Sequence, residues 1–151
     1  TNMTKLTPHF TLEEFAFSET AIRHDIYNMP ESNELDNLLI TAEGMENVRK
    51  LLNNNAINVS SGYRCLELNT LLKSKPNSKH VKGLACDFTC KGFGTPEKIV
   101  RSIVNSNISY DQVILEYGSW VHIAFCKNKK DNKKQALIID NKGVRMFKDN
   151  Q

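Results

Sequence analysis

At 151 residues the chain is long enough for one domain with a buried core. Hydrophobic content of 40% and charged content of 25% are ordinary for a water-soluble fold, and a net charge of +3 is too small to indicate nucleic-acid binding. No apolar run approaches the ~20 residues of a membrane span, and no charged-then-apolar leader opens the chain. Thr1-Asn2 ahead of Met3 reads as a vector-derived remnant, with Met3 as the native start.

Thr11 followed by Glu14 is a capping-box pair, so a short helix starts there, and Ser18 to about His24 reads as a further helical turn or two. Asn28-Met29-Pro30 breaks the chain, and Ser32 is placed to cap the next element. That element has the clearest periodicity. Leu35, Leu38, Leu39, Ala42, Met45, Val48, Leu51 and Leu52 form one apolar stripe at helical spacing, ended by Asn53-Asn54-Asn55. Residues 56–60 read as a strand that delivers Ser61-Gly62-Tyr63-Arg64 into a turn. Leu66 to Leu72 reads as a helix with Leu68, Leu71 and Leu72 inward, followed by a polar loop from Lys73 to Lys79.

From Leu84 to Cys90 the pattern is strand-like, with Ala85, Asp87 and Thr89 on one face and Cys86, Phe88 and Cys90 on the other. Thr95-Pro96-Glu97 is a helix start, a cap followed by proline, and Ile99, Val100, Ile103 and Val104 give that helix its buried side. Gln112 to Tyr117 and Trp120 to Phe125 form a hairpin about Gly118. Gln112, Ile114 and Glu116 share a face that Trp120 and His122 join if the turn keeps register. Lys127 to Lys134 is a basic, solvated loop, and Ala136–Ile139 with Val144–Phe147 form a terminal hairpin across Asn141-Lys142-Gly143. No repeat or long linker divides the chain, so residues 1–151 read as one domain. Early helices, and strands joined mainly by hairpins, indicate the α+β class with a small antiparallel sheet backed by helices.

Cys65, Cys86, Cys90 and Cys126 lack the close pairs of a zinc ribbon and read as buried free thiols. Two other stretches carry the chemistry. In the first, six residues including Gly83 separate His80 from Asp87; in the second, Glu116 and His122 flank Tyr117-Gly118-Ser119. Two imidazoles and a carboxylate, His80, His122 and Asp87, make a three-ligand set that leaves the fourth position of tetrahedral zinc open. Imidazole ligands favour zinc over magnesium or calcium. Glu116 is then the free carboxylate suited to general-base work. A histidine inside an apolar strand is ordinarily a hydrogen-bonded core residue, and a hairpin glutamate is ordinarily solvated. The ordered set of four favours the metal reading. Asp87, bracketed by Cys86 and Phe88, also needs a cation beside it in a strand interior. His9 and His24 have no carboxylate at metal spacing and read as surface or capping residues.

Around these residues stand Ser60-Ser61-Gly62-Tyr63-Arg64, Leu68-Asn69, Ser78-Lys79-His80, Gly83 through Phe88, Asp111 through Glu116, and Trp120-Val121-His122. In that order they resemble the zinc D-alanyl-D-alanine carboxypeptidase family, in particular its small phage and prophage members. The segments opening at His9-Phe10 and Ser18-Glu19 resemble those members too, and the resemblance runs to about Phe125. It implies a small sheet backed by helices, shared with the hedgehog signalling domain, and a zinc peptidase that hydrolyses peptidoglycan stem peptides in phage lysis or wall remodelling. Arg64 resembles the family arginine that faces the substrate, where it can polarise the scissile carbonyl or bind a carboxylate; in isolation it would read as a surface ion pair. Ser78 matches a serine placed to hold the substrate peptide. Trp120 either walls the pocket, orients His122 or packs in the core, and Asp111 and Gln112 support the site or the fold.

One spacing departs from part of the family. The vancomycin-resistance dipeptidases hold the glutamate closer to the last histidine, in an E-x-x-W-H-type motif, whereas three residues separate Glu116 from Trp120 here. The resemblance leaves two rivals: an endolysin cutting the L-alanyl-D-glutamate bond, and a catalytically silent zinc-bearing wall-binding module. The presence of both Glu116 and Arg64 argues against the second. The expected setting is a monomer made in the cytoplasm without a signal peptide. It acts on the cell wall after release through a lysis pore or from a virion, with no nucleic-acid or membrane partner.

Overall fold

Side-chain caps set the early elements. A computed structural model describes residues 3–149, so the reading of Thr1-Asn2 as a remnant falls outside the described residues. Lys5–Thr7 (β1) and Phe10–Thr11 (β2) form a small antiparallel ribbon too short for its pattern to announce. Thr11 then caps Leu12–Ala16 (α1). Its hydroxyl accepts from the Glu14 N–H at 3.2 Å, and the Glu14 carboxylate accepts from the Thr11 N–H at 2.8 Å. Ser18 caps Glu19–Arg23 (α2) through the Ala21 N–H.

The long helix Ser32–Leu51 (α3) begins one residue earlier than a Ser32 cap allows. The Glu31 carbonyl already accepts the Leu35 N–H at 2.8 Å, so Glu31 is the N-cap, with no side-chain bond of its own. Leu38, Ala42, Met45, Val48 and Leu52 are fully buried, but Leu39 is exposed. The inward face is rotated so that Asn37 and Thr41 occupy it. Both polar side chains have partners. Asn37 Nδ2 donates to the Lys82 carbonyl at 2.8 Å, and Thr41 Oγ1 donates to the Gly83 carbonyl at 2.7 Å. They tie α3 to the single turn Lys79–Lys82 (α5).

Six strands form the main sheet: Asn58–Ser61 (β3), Ala85–Thr89 (β4), Gln112–Glu116 (β5), Trp120–Ala124 (β6), Gln135–Asp140 (β7) and Gly143–Met146 (β8). Their order is β3-β4-β6-β5-β7-β8. The α+β class is as expected. The sheet is antiparallel except at one place: β7 runs parallel to β5. The stretch that reads as a solvated loop carries a 3₁₀ turn, Lys129–Asp131, and leads the chain back to the start of β5. Buried Asp111 anchors it there, accepting from the Lys133 ammonium at 2.6 Å and the Lys133 N–H at 3.2 Å.

Alternation along the strands separates two environments. Cys86 and Phe88 of β4, Val113 and Leu115 of β5, and Val121 and Ile123 of β6 join the core with α3 and the helix Pro96–Val104 (α6). Asp87, Ile114, Glu116, Trp120 and His122, at the other parity, line a cavity. The helix Leu66–Leu71 (α4) turns only Leu68 and Asn69 inward; Leu71 and Leu72, expected inside, are each 42% exposed. Cys86 and Cys90 are buried, whereas Cys65 and Cys126 are only half-buried, and all four are free. Among the described residues no helix is long and apolar enough to cross a membrane.

Two expected outcomes follow. Thr41→Val keeps the shape but strands the buried Gly83 carbonyl, and should lower unfolding free energy by about 1–3 kcal/mol in a urea titration. Burial alone would raise the Asp111 carboxyl, but the Lys133 hydrogen bonds outweigh it and hold the group below the ordinary aspartate value. Its contribution is therefore complete above about pH 4 and lost as pH falls further. Asp111→Asn should be less stable than the parent at neutral pH, and the gap should narrow as pH falls below about 4.

Candidate metal centre

Register brings the strand ligands together. Asp87 of β4 lies opposite His122 of β6, and His122 lies opposite Ile114 of β5, with Glu116 opposite Trp120. His80 arrives separately on α5. Ser78 caps that turn, its hydroxyl accepting from the His80 N–H at 3.3 Å. Gly83 ends it at φ +78°, where any Cβ would stand 2.7 Å from the Glu34 carbonyl, so the exit requires glycine.

The loop after β3 locks His80 from both sides. The His80 ring Nδ1 lies 2.6 Å from the Gly62 carbonyl, and the His80 carbonyl accepts the Arg64 N–H at 3.1 Å. A carbonyl can only accept, so Nδ1 carries a proton and Nε2 points inward. That Nε2 lies 3.2 Å from Asp87 Oδ1, and His122 Nδ1 lies 2.8 Å from the same oxygen. Two imidazole nitrogens converging on one carboxylate oxygen are a donor set that suits a metal cation. One ligand atom from each of His80, Asp87 and His122 falls within 4.8 Å of the others. Tetrahedral ligands at ~2.1 Å from zinc are roughly 3.4 Å apart, so small side-chain adjustments fit the ion. Burial acts to raise the Asp87 carboxyl, but hydrogen bonds from His122 and His80 prevail and keep it ionised, well below the usual range. The donor set fits a divalent metal with an open coordination position.

Arg64 and Glu116 line the same cavity, about 660 Å³ in volume. Arg64 is oriented by Nε to Ser61 Oγ at 3.2 Å and Nη1 to Ser74 Oγ at 3.1 Å, with Nη2 3.7 Å from Asp87 Oδ2. Burial lowers its pKa, opposed by the charges of Asp87 and Glu116; a guanidinium stays protonated regardless. Burial, with the negative charge of Asp87, raises the Glu116 carboxyl, opposed by His122 and by Trp120. Trp120 Nε1–H donates to Glu116 Oε2 at 2.6 Å. The indole thus holds the glutamate as well as walling the cavity. Ser78 and Gln112 also line it, whereas Asp111 instead anchors the strand.

Three contributors had no clear signal in the sequence. Asn37 and Thr41 interrupt an otherwise apolar face at i and i+4, a pattern that marks buried polar anchors. Tyr117 takes φ +54° in the hairpin turn and sets its ring 5.8 Å from Trp120 at the cavity wall. Nothing in a Tyr-Gly-Ser run announces that role. The remaining histidines stay outside: exposed His9 pairs with Glu46 at 2.8 Å, and His24 is the C-cap of α2. No cysteine joins the cluster.

The family model described as Peptidase M15 matches residues 8–124, a span that holds every residue of this cavity. No curated protein matches the chain. With a match over that much of its length and a His-Asp-His group able to hold a metal, the chain belongs to the Peptidase M15 family of zinc D-alanyl-D-alanine carboxypeptidases and is a metallopeptidase.

Proposed function

We propose that the protein hydrolyses a peptide bond in peptidoglycan stem peptides as a D-alanyl-D-alanine carboxypeptidase-like enzyme, and that zinc is its metal. One observation carries the reading: a half-buried carboxylate and a guanidinium face the three-ligand group across one cavity. A module that only binds the wall needs neither.

When bound by His80, Asp87 and His122, the metal supplies Lewis acidity. The rest of the work falls to the protein's own groups. The indole occupies Glu116 Oε2, which leaves Oε1 to accept a proton from the attacking water and return it to the leaving nitrogen. The raised Glu116 pKa suits a group that must both take and give a proton. Arg64, fixed by two serines, stabilises the oxygen that becomes negative as water adds to the carbonyl. Ser78, at the cap of the His80 turn, is placed to hold the substrate backbone. We place the action of the enzyme at the bacterial wall, as a monomer serving lysis or remodelling.

The purified protein should carry about one zinc per chain, and a chelator should remove both metal and activity. His122→Ala should lose zinc and hydrolysis together; elemental analysis showing no zinc in wild type even after supplementation would sink the reading. Glu116→Gln should keep zinc and slow turnover by ~10²–10⁴-fold. Arg64→Ala should keep zinc with a loss of order 10²–10³-fold. Release of new termini from purified sacculi, read by mass spectrometry, identifies the bond. Wild type that binds sacculi but releases none would point to the binding module instead.

A further inference from the structure

Tyr117 occupies a position that its own backbone disfavours. It opens the turn between β5 and β6 at φ +54°, and Gly118 follows at φ +62°. The Ser119 N–H closes that turn on the Glu116 carbonyl at 2.9 Å. Two successive residues at positive φ mark a turn of the I′ kind, whose first position suits asparagine, aspartate or glycine. A large side chain is strained there. Burial does not offset the strain, because Tyr117 is 51% exposed. Of the six non-glycine residues at positive φ among the described residues, only Tyr117 lines the cavity. Strain retained at a site points to a task at that site.

What the ring touches identifies the task. Its centroid lies 5.8 Å from that of Trp120, with the planes 31° apart, within the range of aromatic pairing. Trp120 Nε1–H in turn donates to Glu116 Oε2 at 2.6 Å. Ring holds ring, and indole holds carboxylate. The turn itself does not need the phenol. The Tyr117 N–H donates to the Ile139 carbonyl at 2.8 Å, and the Tyr117 carbonyl accepts from Ser119 Oγ at 3.0 Å.

We propose that Tyr117 is a positioning residue for Glu116, acting through Trp120. The Tyr117 ring limits rotation of the indole, and the indole keeps Glu116 Oε1 turned toward the cavity for proton transfer. The turn is less stable than asparagine would make it, and the general base is better held. The inference rests on the peptidase reading above.

The test compares Tyr117→Asn and Tyr117→Phe in the zinc-loaded protein, each with and without Glu116→Gln. Hydrolysis of soluble peptidoglycan stem peptides is followed at limiting and saturating concentration. Tyr117→Asn should lower kcat about tenfold and leave KM within about twofold, because orientation and not binding is lost. In the Glu116→Gln background the same change should cost less than about twofold, since a residue acting through Glu116 has nothing left to orient. Tyr117→Phe should keep the parent rate. Tyr117→Asn should melt at or above the parent, by up to about 4 °C, as the strain at the turn is relieved. Trp120 is the only tryptophan of the chain, so fluorescence reads the indole directly. Its emission should move to longer wavelength in Tyr117→Asn and stay in place in Tyr117→Phe. Full kcat in Tyr117→Asn, a loss that persists in the Glu116→Gln background, a loss confined to KM, or a slow Tyr117→Phe would each overturn the role. So would unchanged Trp120 emission, or melting of Tyr117→Asn below the parent. A parent that cuts no stem peptide, soluble or in sacculi, removes the peptidase reading; a parent that cuts while any of those outcomes appears removes the role of Tyr117 alone.

Discussion

The buried hydrogen bond between the His80 ring and the Gly62 carbonyl, 2.6 Å long, is the constraint on which the site depends. It orients the ring so that Nε2 turns toward Asp87, and it does so from a loop that also delivers Arg64. The Arg64 N–H returns the contact by donating to the His80 carbonyl. His80 and Arg64 are therefore positioned by the same loop. Such outer contacts orient metal ligands at little cost in mobility, because backbone groups have few ways to relax.

The remaining groups are placed by strand parity. In β4, β5 and β6, every other residue belongs to the core, and of the residues between, Asp87, Gln112, Ile114, Glu116, Trp120 and His122 line the cavity. A one-residue slip of β6 against β4 would carry His122 into the core and Val121 into the cavity. The apolar set Cys86, Phe88, Val113, Leu115, Val121 and Ile123 opposes that slip, so core packing and site geometry are specified by the same residues. The anchors Asn37 and Thr41 extend this coupling to α3, whose packing positions the turn that carries His80.

Much of this was legible in the sequence, and the gaps have physical causes. Period-two alternation gave the shared face of Gln112, Ile114, Glu116, Trp120 and His122, and the Thr11–Glu14 box gave a helix start, because both are local codes. The parallel pairing of β7 with β5 was not legible, because it depends on Asp111 catching Lys133 across a loop of ordinary basic composition. The exposure of Leu71 and Leu72 was missed for a similar reason. Helical spacing states which residues share a face, and only the neighbouring elements decide whether that face is covered. The grouping of His80, Asp87 and His122, by contrast, was legible from residue type and order, since the chemistry of a metal-binding set narrows the alternatives more than propensity does.

The family match ends at Ala124, the last residue of β6, and β7 with β8 follows it. Yet β7 pairs with β5 along all five of its residues, from Gln112 to Glu116. Without β7, the strand bearing the glutamate would be the rim of the sheet, offering a row of free amide and carbonyl groups and the apolar Val113 and Leu115 to other chains. The terminal hairpin acts as a seal on that rim. It passes the exposed margin to β8, a four-residue strand whose Arg145 is paired with Asp140 at 2.9 Å. Short length and charge are the means by which sheet edges resist self-association, so the segment outside the family match guards the solubility of the segment inside it.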